Sequence, residues 1–524
     1  MTNRAYKWDY AGIQKIEIPI TPDMVTPEVV TEYWGEIIKK HNSNSRKIEY
    51  LLNFTNGIQD IYSKSRKFDS ENNNKVVENH ANAMVTFKEG FLLGDKREFA
   101  QKSDINSDDL IYLDRFLADV SFHTKDLAVK HNIYATGIGT DFVLPRTDIF
   151  EDVGENAARY KSVDEGYNVE FDAPFVYECV DSRNNFVVYS SALGVAGIKD
   201  LFCVNISQIK VKGIKQTIYT VYTREWAAQF DGAGKLMAGT LKETPIGFKT
   251  LPMTEHSINE TRMGVVEMTL DLLNTVNTTV SSSLDNIVDV VNQILVFLNC
   301  EIDSEQIASM YEQGAICIPD TGGTNKATLD KITVDLKHSD INVFFEQVLT
   351  RCYDIAGVPL ASASGIGNGN NGAAYIGGGW TNAHTIIKRD IVALEQSDRE
   401  LLRKMLAICK QNSSNPVNEI NANQVEIKYN VNMSNDLLSK TQALQNLVDA
   451  NIDYEDIVKV VGLWGDAKTV AKRWRENVES LKKQTERAMQ QNVAEQPTEQ
   501  AVEQTVGIEP NLDKKSIEGA NNAE

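Results

Sequence analysis

The chain has 524 residues, with 53 Lys and Arg against 73 Asp and Glu, a net charge of −20. That length suggests roughly two to four lobes, and an apolar content of 42% is enough for packed cores. Such an acidic balance argues against a protein that coats nucleic acid over its whole surface, which needs phosphates neutralised by Lys and Arg, and does not exclude one that lets DNA slide past without gripping it.

Residues 1–30 read as an extended arm that lacks the apolar core of a signal peptide. Short helices are expected over Val30–Asn42 and Arg46–Leu52. Between Asp60 and Phe99, Val76, Val77, His80, Met84, Val85 and Phe87 fall at helical spacing. Ser107–His131 reads as one helix, with Leu110, Leu113, Phe116, Leu117, Val120 and Leu127 on one side and Ser107 as its cap. From Asn132 to Phe248 the pattern changes to short β-like runs: Asn168–Phe171, Phe175–Cys179, Phe186–Tyr189, Gln208–Val211 and Gln216–Tyr222. Turn signals at Ser182-Arg-Asn-Asn and Asp231-Gly-Ala-Gly separate them, and Gly137-Ile-Gly139 marks the entry to the strand region. This describes a mixed α+β lobe, not an alternating βαβ series.

From Glu260 helices return. Val276, Val280, Leu284, Ile287, Val291, Ile294 and Leu298 form one apolar stripe, and the Asn/Thr/Ser-rich patch Asn274–Ser283 is expected to weaken or bend that helix. The run Ile294–Cys300 is far short of the roughly 18 residues of a membrane span, so the chain reads as soluble and cytoplasmically made. A compact insertion follows over 301–336, with strand candidates Ala315–Ile318 and Lys331–Leu336. The helix Ser339–Ala356 carries Ile341, Phe344, Phe345, Val348, Leu349, Cys352 and Ile355 on one face and stops at Gly357-Val-Pro359. Thr381 is expected to cap a helix reaching Gln411, with Ile387, Ile391, Leu394, Leu401, Leu402, Met405 and Ile408 on its apolar side. A short strand at Gln424–Asn430 precedes helices over Leu437–Asp449, Tyr454–Val461 and Asp466–Met489. The last of these is basic, but its Trp474 lines up with Val470, Val478 and Leu481, a core position rather than a base-stacking one. Residues from Glu495 on hold seven acidic side chains against two lysines and read as a disordered tail.

Between the two long helices lies Ala361–Gly379, ASASGIGNGNNGAAYIGGG, with seven glycines and no charge. Helices that reverse direction need only about two to eight linking residues, so the surplus suits a loop that changes shape around a moving object. Its literal Gly367-Asn-Gly369-Asn-Asn-Gly372 follows a helix and a proline rather than a strand, which argues against a dinucleotide site, and no GK[ST] phosphate loop occurs. The seven histidines and six cysteines are scattered without metal or nucleophile spacing. No catalytic residue, metal or cofactor is therefore expected, and the thiols are expected to be reduced. Lys388 and Arg389, two turns into the following helix, are candidates for phosphate contact.

The order of these parts resembles bacteriophage portal proteins, in particular the family typified by siphophages of Gram-positive bacteria. The resemblance rests on Asp60-Ile-Tyr, Asn74, Asn79 and Gly90-Phe-Leu-Leu-Gly94; on Phe171-Asp-Ala-Pro-Phe-Val; on Asp271-Leu-Leu-Asn and Ser283-Leu-Asp-Asn in the long helix; on Ile355-Ala-Gly-Val-Pro before the loop; and on Val431-Asn-Met-Ser-Asn-Asp. It spans about residues 45 to 480, and Asp95-Lys96 after Gly94 departs from the family pattern.

The resemblance implies an α+β portal fold. Its expected parts are an N-terminal arm and mixed wing (1–260), a long wing/stem helix (261–300), a small α/β clip (301–336) and a stem helix (337–358). A tunnel loop (359–380), a wing helix and strand (381–433), a helical crown (434–494) and the acidic tail (495–524) follow. It implies a homo-oligomeric ring, usually a dodecamer, at one capsid vertex of the virion, assembled in the host cytoplasm. Double-stranded DNA would pass Ser362, Ser364, Gly365, Asn368, Asn370, Asn371, Tyr375 and Ile376 in the tunnel loop. The terminase large subunit and later head-completion or adaptor proteins would dock on the clip, at Tyr311, Glu312, Asp320, Asn325 and Lys326. Major capsid and scaffolding proteins are the other expected partners, with no membrane and no enzymatic activity. The alternatives are another ring- or shell-forming head–tail structural protein and a nucleotide-binding enzyme using the glycine loop.

Overall fold

A computed structural model describes residues 8, 10–66, 72–94, 96–101, 107–146, 150–152, 158–160, 167–192, 200–211, 214–243, 250–291, 295–298, 328–331, 338–360, 379–431, 444–450, 452–461 and 467–494. The chain divides into two compact units, residues 1–437 and 438–524.

In the first unit, the arm supplies a short strand, Ile16–Ile18, that pairs in parallel with Asn185–Ser190. This opens a six-stranded sheet that continues antiparallel through Asp200–Val211, Ile214–Tyr222, Trp226–Phe230 and Lys242–Glu243. Helix α1 (Pro27–Thr55) covers the sheet. Thr26 accepts the Val29 N–H and Pro27 occupies the first helical position, where a missing donor costs nothing. Val30, Trp34 and Ile37 face Phe186, Phe202, Val221 and Phe230. The two short helices expected at 30–42 and 46–52 are thus one. The polar run Ser43-Asn44-Ser45 does not break it, because these side chains hold neighbouring chain: Asn44 pairs with both backbone groups of Gln14, at 3.1 and 2.7 Å, and Ser45 donates to Arg183 O.

Helix α2 (His80–Leu93) is capped by Asn79, so Val76 and Val77, expected within a helix, lie in extended chain before it. The helix expected over 107–131 is two, α3 (Ser107–Asp119) and α4 (Phe122–Thr136). Ser121 breaks it with φ +55, and the turn drives Phe122 into the core against Tyr177, ring centroids 4.9 Å apart. Asn168–Phe171, expected as strand, is a turn in which Asn168 N–H bonds Asp172 at 2.7 Å. A three-stranded antiparallel sheet places Gly139–Pro145 between Met253–His256 and Phe175–Val180. At its entry Gly137 adopts φ +99, and a Cβ there would meet Arg262 O at 2.1 Å, so only glycine fits.

Three long helices complete this unit: α5 (Val265–Val291), α6 (His338–Ala356) and α7 (Trp380–Cys409). The roots of α5 and α6 meet in one core, where Val265, Val266, Leu270 and Leu273 join Cys352 and Ala356. Leu295–Leu298, expected to continue the long helix, instead pairs as a strand with Thr328–Lys331; residues 332–336 of the expected strand Lys331–Leu336, like the expected strand Ala315–Ile318, lie outside the described residues. The strand Val425–Lys428 pairs with Glu98–Gln101. In the second unit, α8 (Tyr454–Val461) packs on α9 (Ala467–Ala494). Trp474, half-buried, meets the Tyr454 ring at 4.6 Å, while Leu481 of the same stripe is exposed, and Arg475 pairs with Asp453 at 2.6 Å.

Candidate functional site

Helices α5 and α6 bury only part of the apolar faces their patterns predict. The apolar stripe of α5 is buried only as far as Val276. Beyond that, Leu284 and Ile287 are 37% and 46% exposed, while the polar row Asn277, Ser281 and Asp285 is buried. On α6, Cys352 and Ala356 enter the core, but Val343, Phe344 and Ile355 are 54%, 50% and 51% exposed. Scattered exposed apolar side chains are ordinary. Here they stand on two helices packed against each other.

Helix α6 ends at the root of the glycine loop. Val358 N–H bonds Tyr353 O at 2.9 Å and Gly357 takes φ +65, a glycine stop of the Schellman kind. A Cβ on Gly357 would sit 2.4 Å from Ile386 Cδ1, so the end of α6 abuts the start of α7. A Cβ on Gly379 would lie 3.8 Å from the Cα of Pro359. The loop's two roots are therefore neighbours, and the residues between them leave and return at one place. Trp380, packed on Phe87 and Phe91, seats the second root. The expected cap Thr381 lies inside the helix, and Gly379 precedes it without a side-chain cap.

Of the residues singled out in the sequence, Lys388 and Arg389 are described, and both are exposed on α7. Arg389, 62% exposed, leans on its neighbour Asp390 at 3.2 Å, and Lys388 pushes the His384 pKa down, after burial, the larger cause. Ser362, Ser364, Gly365, Asn368, Asn370, Asn371, Tyr375 and Ile376 lie outside the described residues, as do Tyr311, Glu312, Asp320, Asn325 and Lys326.

Sequence reasoning missed a buried ionic network that ties α7 to the mixed sheets. Asp398 receives Arg97 at 2.7 Å and Lys130 at 3.1 Å, and the Tyr429 hydroxyl donates to it. Arg97 also reaches Asp126 at 3.0 Å. His256 Nε2 donates to Asp141 at 2.7 Å, and its Nδ1 lies 2.9 Å from Ser397 Oγ. Burial alone would raise the Asp398 pKa, but Arg97, Lys130 and His256 outweigh it and hold the carboxyl well below the usual range. About two turns closer to the loop, Asp390 and Lys88 form a second buried pair at 3.6 Å; burial pushes Asp390 up and Lys88 down. The signal was there: Asp390 and Asp398 stand at core positions of the stripe that runs Ile387, Leu394, Leu401. This network has the make-up of a brace, not of a catalytic site, since its members are buried and paired with one another. Among the described residues no group of three or more His, Cys, Asp or Glu could hold a metal ion, and no helix is long and apolar enough to cross a membrane.

Residues 35–491 match the family profile described as "Phage portal protein, SPP1 Gp6-like". A solved structure described as "Neck of empty GTA particle computed with C6 symmetry" is similar at 12% identity, covering 73% of this chain and 89% of that one with a TM-score of 0.38. No curated protein sequence matches.

Proposed function

Since the chain belongs to the SPP1 Gp6-like phage portal protein family, a structural family, we propose that copies of it close head-to-tail into a ring, expected to be a dodecamer, at one vertex of the capsid. The ring's channel conducts double-stranded DNA inward during packaging by the terminase and outward at ejection. Its projecting 301–336 segment receives the terminase large subunit and later the head-completion or adaptor proteins, through Tyr311, Glu312, Asp320, Asn325 and Lys326. Capsid and scaffolding proteins surround it. The 261–300 and 337–358 helices act as stem, the 1–260 and 381–433 regions as wing, and 434–494 as crown. The loop within 359–380 lines the channel through Ser362, Ser364, Gly365, Asn368, Asn370, Asn371, Tyr375 and Ile376, with Lys388 and Arg389 nearest the phosphates.

The observation that carries this reading is the uncovered apolar face of α5 and α6. A closed ring needs two complementary faces on each subunit. Covering the exposed half of a side chain such as Phe344 contributes roughly 0.7–1.5 kcal/mol, repeated at every interface of the ring. The uncharged loop returning to its own root supports the channel role: such a segment can follow a passing phosphate backbone without binding it strongly.

Negative-stain microscopy of the purified chain tests the ring: symmetric particles with a central hole wide enough for duplex DNA are expected, and a monomer persisting at micromolar concentration overturns it. Deleting Gly365–Gly378 is expected to leave rings intact and to impair DNA packaging or retention. Unchanged packaging removes the channel role from the loop.

A further inference from the structure

The buried polar row of α5 is occupied by the chain's own 72–79 segment, and the fit is one of pitch. Asn74 N–H donates to Asp285 Oδ1 at 2.7 Å, Val76 N–H to Ser281 Oγ at 2.9 Å, and Glu78 N–H to Asn277 Oδ1 at 2.9 Å. Every second residue of extended chain thus meets every fourth residue of helix, running oppositely. Two extended residues rise about 6.6–6.8 Å, and four helical ones rise about 6.0 Å, so three successive bonds stay in register. A helix interior has no free backbone groups to offer a strand, so short acceptor side chains must take their place.

The outgoing limb lies on the same face. Asn274 donates to Asp60 at 3.1 Å, Asn277 donates to Gln59 Oε1, and Lys64 Nζ meets Asp285 Oδ2 at 2.5 Å with Arg66 beyond it at 3.9 Å. The base of the loop is pinned in the main core, where Gln59 and Asn79 bond each other and Asn79 donates to Thr55 O.

Alone, this part of α5 is weak. Thr and Val lose rotamer freedom in a helix and Asn and Ser compete for its backbone. Thr275, Thr278 and Thr279 bond back to carbonyls four residues earlier, a habit that bends helices. The apolar core has ended at Val276.

We propose that residues 59–66 and 72–79 form a releasable splint on α5. Docked, it holds the helix straight from Asn274 to Asp285. Undocked, it frees the helix beyond Asn277 to bend while the root stays in the core. The splint is independent of the ring reading, because every contact is within one chain. Its attachment is polar, and its ionic cluster, Asp285 with Lys64 and Arg66, is mostly buried, so added salt screens it little.

Hydrogen–deuterium exchange of the full chain, read by mass spectrometry, tests this with Asn277→Ala/Ser281→Ala. Alanine is the better helix former, so if propensity alone governed the helix, exchange over 277–288 would slow. The splint requires the opposite: about tenfold faster exchange over 277–288 and 72–78, with 265–273 unchanged. Slowed or unchanged exchange over 277–288 overturns the proposal. If the double variant loses protection throughout, Val76→Cys/Ser281→Cys decides. Its cross-link should form on oxidation and slow exchange over 277–288, and failure of either overturns the splint.

Discussion

His41 lies against Phe186, ring centroids 4.0 Å apart, and its Nε2 donates to Arg183 O at 3.0 Å. Burial pushes its pKa down to about 4, against the bond to Arg183 O, which favours the proton. In the unfolded chain the ring titrates near its ordinary value of about 6.5. A depressed folded pKa means the stabilisation is complete above about 6.5 and is lost as the pH falls toward 4, because only the unfolded ring takes up a proton in that window. The full difference is on the order of 3 kcal/mol. Urea midpoints at pH 7 and pH 5 should therefore converge in His41→Asn, whose amide can still donate to Arg183 O, and a wild-type-sized drop in that variant would place the acid sensitivity elsewhere. Single residues were partly legible in the sequence. Trp474 stood in an apolar stripe and meets the Tyr454 ring, half-buried. Asp398 also stood in one, yet a carboxylate at a core position declares a partner without saying which, and Arg97 and Lys130 arrive from far away in the chain.

At the scale of elements, the described helices and strands follow the expected order except at Asn168–Phe171, at Ser121 and at Leu295–Leu298, and two polar runs on helices share an explanation. Ser43-Asn44-Ser45 read as a break in α1, and Asn274–Ser283 as a weakness in α5. In both places polar side chains on a helix hold extended chain laid beside it, Gln14 in one case and 74–78 in the other. Local propensity registers the poor helix former but not the distant backbone it serves. The junction of Gly12, Gly137 and Gly264 around Thr261–Arg262 is likewise invisible locally, since the three come from the arm, the end of α4 and the start of α5. Gly137→Ala would combine a φ of +99 with a Cβ 2.1 Å from Arg262 O. We expect it to destabilise the first unit by about 3 kcal/mol or more, measured by denaturant unfolding, whereas Gly90→Ala, with open space around it, should be neutral or stabilising.

For the whole molecule, the sequence patterns of α5 and α6 located real apolar faces but could not say whether the chain or a second copy covers them. The distinction is measurable. Phe344→Glu alters a half-exposed side chain, so the folded monomer should change by no more than about 0.5 kcal/mol. Assembly should nevertheless be lost in sedimentation, and rings that persist would move the interface off α6. The adjacency of Pro359 and Gly379 has a consequence of another kind. A segment that departs from and rejoins the same spot imposes no distance on its flanking helices, so its residue count is decoupled from the geometry of the body. Doubling the length of such a closed excursion costs only about 0.6 kcal/mol in closure entropy. Insertions between the two roots are thus nearly free for the fold, and in the ring proposed above the channel could be resized by chain length alone, without repacking a single helix.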